Sequence, residues 1–162
     1  MIAGPRAPFS PLQNPMKTMH RLIAGCAAAL IVAASARAAE WTEDYSSALA
    51  QAKREHRLLL LDFTGSDWCS WCKRMDADVL STPKFQDFAD QGLVLVKLDF
   101  PRSRELSGDV KAQNARLAKK YGVRGYPTLI VLDPDEKMIF KQEGYAQGGP
   151  EAFLARFPKA AN

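Results

Sequence analysis

The sequence predicts an α/β domain: a mixed four-stranded sheet with helices on both faces and an extra helix at its N-terminus. Three observations predict it. Short apolar runs alternate with amphipathic segments at helical spacing from residue 41 onward. The strand–helix–strand order over residues 58–100 needs a crossover, which makes a parallel pair. Two late strands are separated only by Asp133-Pro134-Asp135-Glu136, which makes an antiparallel hairpin.

The elements follow in order. Trp41 to His56 carries Tyr45, Ala48, Leu49 and Ala52 at helical spacing, so it reads as an amphipathic helix. Leu58 to Phe63 is a continuous apolar run broken only by Asp62, as in a strand buried on both faces. Thr64-Gly65-Ser66-Asp67 is a turn, and helical character resumes near Cys69 and runs to about Val79. Thr82 is an N-cap with Pro83 at the first helical position, and that helix runs to Ala89 with Phe85 and Phe88 on one face. Leu93 to Phe100 is a strand, and Pro101 to Gly108 a polar loop. Asp109 to Tyr121 is a helix closed by Gly122. Thr128–Leu132 and Met138–Gln142 are the hairpin strands. Gly149-Pro150 opens a last helix that Pro158 ends.

Residues 1–38 read as a leader and residues 39–162 as one domain. Lys17, His20 and Arg21 precede a run of 13 residues, Leu22 to Ala34, that is mostly apolar. Ala36-Arg37-Ala38 then places small residues where a signal peptidase reads them. As a helix the run spans roughly 20 Å, short of the ~30 Å hydrocarbon core. A cleavable signal ending near Ala38 is expected, with a periplasmic or secreted domain beyond it. Ile23-Ala24-Gly25-Cys26 looks like a lipoprotein box, but most of the apolar run follows Cys26 instead of preceding it. Translation is expected to start at Met16 or Met19.

The formal charge of +4 invites a nucleic-acid reading, and its distribution removes it. Arg6, Lys17, Arg21 and Arg37 account for all of it, and residues 1–38 hold no acid. The remaining residues are balanced, without the basic footprint that phosphate binding needs. No nucleic-acid partner is expected.

Chemistry is concentrated in Trp68-Cys69-Ser70-Trp71-Cys72-Lys73, which follows a buried strand and opens a helix. A helix N-terminus presents unpaired N–H groups and partial positive charge, which favour a thiolate. Cys69 is therefore the candidate nucleophile. Cys72, one turn deeper on the same face, can resolve a mixed disulfide or close one with Cys69. Other readings of the pair exist. A zinc half-site would need two more ligands, whereas residues 39–162 offer only His56 and no further cysteine. A purely structural disulfide would close a very short loop with little entropy to remove. No metal centre is expected.

The pieces as a set resemble the thioredoxin superfamily over roughly residues 41–157. They are Leu59-Leu60-Leu61-Asp62-Phe63, the Trp68–Lys73 motif, Val94-Leu95-Val96-Lys97-Leu98-Asp99 and Tyr121-Gly122-Val123-Arg124-Gly125-Tyr126-Pro127-Thr128. The run from Phe63 to Cys69 and the closing Gly148-Gly149-Pro150-Glu151 look most like exported bacterial thioredoxin-like proteins with a WCxWC motif.

The resemblance implies a thioredoxin fold and a redox-active Cys69–Cys72 disulfide. It implies that Pro127 is a cis-proline set against the cysteines. It implies that Asp62 is a buried acid beneath Cys72, and that Lys97 on the neighbouring strand pairs with it. Trp68, Trp71 and Tyr126 fall where substrate would be contacted. The implied function is an exported thiol–disulfide oxidoreductase with no bound cofactor, acting on protein or small-thiol substrates. A membrane-borne dithiol protein would serve as electron donor or acceptor, and a monomer is expected. Ser70-Trp71 between the cysteines carries no histidine, which leans toward a reductant or mild exchanger over a strong oxidant. The rival is a peptide-binding or chaperone-like module that keeps the fold with little turnover.

Overall fold

The computed structural model describes Gly4 and residues 39–157. The leader, its cleavage site, Cys26 and Pro158 lie outside the described residues.

The sheet has five strands, in the order β1-β3-β2-β4-β5. They are β1 (Trp41–Thr42), β2 (Leu58–Thr64), β3 (Leu93–Asp99), β4 (Thr128–Leu132) and β5 (Met138–Glu143). The expected four strands are corrected by β1, which pairs in parallel with β3 through Trp41↔Leu95 and Thr42↔Val96. Two residues are too short to show any period, so the sequence pattern extends the following helix back to Trp41. That helix, α1 (Tyr45–Glu55), starts later than its apolar spacing suggests, because the Asp44 carboxylate accepts from the Ser47 N–H and caps it. β2 and β3 are parallel, and β2–β4 and β4–β5 antiparallel.

Four helices complete the fold: α2 (Ser70–Met75), α3 (Pro83–Gly92), α4 (Gly108–Lys120) and α5 (Gly149–Leu154). α2 continues through Asp76–Leu80 with π-helical hydrogen bonding, so the expected stretch to Val79 is wound in two geometries. Thr82 caps α3 through its hydroxyl, with Pro83 in the first turn as expected.

Alternation along the strands divides the core into two layers. Leu59, Leu61, Phe63, Val96, Leu98 and Ile130 face α1 and α4, meeting Ala48, Ala52 and Leu117. Leu60, Leu95, Leu129 and Val131 face the other way, meeting Met75, Val79, Phe85 and Phe153. Asp62 and Lys97 share the parity of this second set and are register partners across β2 and β3. The sheet therefore sets both on the face covered by the helix that carries the cysteines.

Candidate active site

The site begins where β2 ends. The buried Asp99 carboxylate, at the end of β3, accepts from the Ser66 N–H at 2.9 Å and the Ser66 hydroxyl at 2.6 Å. Arg104 pairs with the same carboxylate at 3.0 Å. This fixes the turn that delivers the chain to the helix. Trp68 then folds its indole over Gly65. A Cβ at residue 65 would stand 2.5 Å from Trp68 Cε2, so only glycine fits beneath the ring.

Cys69 is the N-cap of α2, and the Cys72 N–H donates to Cys69 Sγ at 3.1 Å. The first turn thus points a donor at the sulfur of Cys69 and leaves Cys72 inside. Cys69 is 7% exposed and Cys72 3% exposed. The two form a disulfide, with their Cα atoms 5.2 Å apart.

Two aromatic walls flank this pair. On one side, Trp68 Nε1 donates to the Phe100 carbonyl at 2.8 Å. Tyr126 meets Trp68 edge-on at 5.9 Å and lies 5.1 Å from Phe100. On the other, Trp71 is 54% exposed and lies 5.7 Å from Tyr145. The Tyr145 hydroxyl donates to Asp78 at 2.7 Å. Pro127 follows a cis peptide bond after Tyr126 and is buried. Its carbonyl accepts from the Gly144 N–H at 2.8 Å. The Pro127 segment is therefore tied to both walls, through Tyr126 to Trp68 and through the Gly144–Tyr145 turn to Trp71.

Asp62 is buried on β2. Loss of hydration, opposed by Lys97 and reinforced by Asp76 and Asp99, pushes its carboxyl up to about 7. Lys97 is half-buried, and its ammonium makes no ion pair with Asp62 among the described residues. The expected pairing is thus a field effect across one strand spacing and not a contact.

Sequence reasoning missed the supports of these walls. The Asp67 carboxylate accepts from the backbone N–H of Arg102 at 2.9 Å, from the Ser103 N–H at 2.6 Å and from the Ser103 hydroxyl. The Ser103 bonds foremost hold the Asp67 carboxyl down at about 2. Asp67 thereby fastens the β3–α4 loop to the cysteine turn. Tyr145 and Phe100 likewise carry no local sequence signal of their place at the site. Each acts across a long stretch of chain, where no local period signals a partner.

A family model described as a thioredoxin-like domain matches residues 45–161. The chain belongs to the thioredoxin-like family. This thioredoxin-like chain is 34% identical over 121 residues to the disulfide bond reductase DsbH of Chlamydia pneumoniae, covering 75% of this chain and 72% of the relative. It is 34% identical over 114 residues to the thiol:disulfide interchange protein DsbD 2 of Pseudomonas aeruginosa, covering 67% of this chain and 17% of that longer protein. A solved DsbH oxidoreductase structure superposes with a TM-score of 0.69 at 32% identity, covering 74% of this chain and 82% of that one. With the thioredoxin fold, the Cys69–Cys72 pair and these relatives, the chain is a thioredoxin-like thiol–disulfide oxidoreductase.

Proposed function

We propose that the chain is an exported reductant or mild exchanger of protein disulfides, working through Cys69. The observation that carries this reading is the Cys72 N–H aimed at Cys69 Sγ, in a half-open site between two aromatic walls. In the reduced protein that donor and the helix terminus favour the Cys69 thiolate, lowering its pKa below the usual ~8.5. The thiolate attacks one sulfur of a substrate disulfide. A Cys69–substrate bond forms, the substrate S–S bond breaks, and one substrate thiolate leaves. Cys72, deprotonated, then attacks Cys69 Sγ. The second substrate thiolate leaves, and the protein ends as the Cys69–Cys72 disulfide with two electrons passed to the substrate. Another dithiol protein must return those electrons, and a membrane-borne one suits an exported enzyme.

Around this chemistry, Trp68, Trp71 and Tyr126 contact the polypeptide beside the reacting cysteine. Pro127 takes the part the thioredoxin resemblance implies, leaving the main chain of Tyr126 for a bound strand. The absence of an imidazole at Ser70 or Trp71 and the DsbH likeness support the reducing direction. Dithiothreitol-driven reduction of insulin tests the reading. Catalytic turnover lost in cysteine variants supports it, and tight peptide binding without turnover would favour the chaperone-like rival.

Asp62 supplies the proton acceptor for Cys72. With its carboxyl raised to about 7, it is half ionised near neutrality and can take the Cys72 proton. Asp62→Asn is expected to slow release of the mixed disulfide by about 100-fold at pH 7 to 8 and to leave the first attack in place. Lys97→Met is expected to act more weakly. Stopped-flow reduction across pH tests this, and an unchanged pH–rate profile would assign Asp62 a structural role. Stability shifts the other way. A folded pKa above the unfolded ~3.9 means that the native state holds its proton longer. Stability is therefore lost as pH rises from about 4 to about 7, and Asp62→Asn should stabilise the fold above pH 7 and not below pH 4. Paired urea titrations at the two extremes measure this.

Export rests on the 1–38 leader. The mature chain is expected to start near Ala39, and intact mass of the exported protein decides it. A retained leader or a lipid on Cys26 would overturn it.

A further inference from the structure

Each tryptophan beside a cysteine has an arginine against its ring. The Arg102 guanidinium carbon lies 3.8 Å from the centre of Trp68. That of Arg74 lies 5.9 Å from the centre of Trp71 and 5.2 Å from that of Tyr145. The two arginines come from different elements, the β3–α4 loop and α2, and reach the two walls separately.

Two nearby acids, Asp67 and Asp78, are already engaged. Asp67 spends its oxygens on the backbone and hydroxyl of residues 102 and 103, which holds the Arg102 loop in place without touching its guanidinium. Asp78 accepts from Arg74 Nε at 3.1 Å and from the Tyr145 hydroxyl. Only one edge of Arg74 is thus used. The Arg102 guanidinium has no hydrogen-bond or ion-pair partner among the described residues, although its backbone is pinned. A guanidinium laid on an aromatic face is oriented and partly desolvated, and its free N–H edges match a carboxylate.

We propose that Arg102, assisted by Arg74, reads carboxylates on the substrate, so that the enzyme prefers protein disulfides flanked by acidic side chains. The inference rests on the exchange reading above. A substrate cysteine brought to Cys69 lies between the two walls, and side chains on either side of it meet Trp68–Arg102 and Trp71–Arg74. The tryptophans supply sequence-tolerant apolar contact and the arginines supply the selection. Charges at a site rim act mainly on encounter and on discrimination, and their effect weakens with salt.

The test uses quenched fluorescent peptides with one internal disulfide, identical except for aspartate, asparagine or lysine beside each cysteine. The protein, reduced beforehand, is mixed with each at low and at high salt. The aspartate peptide is expected to be reduced about tenfold faster than the asparagine peptide at low salt, the lysine peptide slower than both, and the spread to shrink at high salt. Arg102→Gln is expected to bring the aspartate-to-asparagine ratio toward one, Arg102→Lys to keep part of it, and Arg74→Gln to reduce it less. Equal rates for the three peptides, or a ratio unchanged in the Arg102→Gln Arg74→Gln double variant, would overturn the proposal. Failure to reduce any of the three would overturn the exchange reading itself, and the inference with it.

Discussion

Cys69→Ser is expected to lower insulin reduction by about 10³-fold or more, because it removes the sulfur that receives the α2 donor and begins the exchange. Cys72→Ser should lose steady turnover to a similar extent for a different reason. Its Cys69 still attacks, and the mixed disulfide then persists because nothing resolves it. Non-reducing gels of the two variants incubated with a disulfide protein separate these outcomes. Adducts are expected with Cys72→Ser and not with Cys69→Ser. The fold should survive both changes, since the disulfide they remove closes a very short loop.

The largest effect on stability is expected at Phe153. Its ring, fully buried, lies 6.4 Å from Phe85, 6.2 Å from Phe140 and 5.4 Å from Phe157. It thus joins α5 to α3 and β5 in the layer beneath the cysteine helix. Phe153→Ala deletes a buried aromatic ring and leaves a cavity, which costs about 3–5 kcal/mol. Domains of this kind are stable by about 5–15 kcal/mol, so a large part of the total is lost. Urea denaturation followed by far-ultraviolet circular dichroism should show a lower midpoint with a similar slope. A midpoint within error of the wild type would mean that α5 is dispensable to the fold.

The layers of this domain were legible because burial writes itself into period. The β2 and β3 runs, the α3 cap at Thr82 and the hairpin between β4 and β5 lie where local pattern places them. Asp62 stands out as the one acid in an apolar run, and Cys69 and Cys72 as a pair opening a helix. Less was legible wherever structure depends on distant partners. β1 is two residues long and is a strand only because β3 offers an edge. The α1 boundary depends on the Asp44 cap and not on the apolar spacing. Arg102 and Ser103 looked like an ordinary polar loop, since the Asp67 carboxylate that holds them belongs to the far side of a crossover. Lys97 is named as a partner of Asp62 by the resemblance alone; the register sets the two opposite each other across β2 and β3, and whether they touch is decided by side-chain packing that no local pattern encodes.

The central claim, that Cys69 is the activated thiol of an exchanging pair, is tested most directly by competitive alkylation. The protein is reduced, treated at neutral pH with a limiting amount of iodoacetamide, and its peptides are mapped by mass spectrometry. The geometry predicts that Cys69 is modified well before Cys72, with a pH midpoint below the ~8.5 of a free thiol. First labelling at Cys72, or equal labelling with an ordinary thiol midpoint, would contradict it.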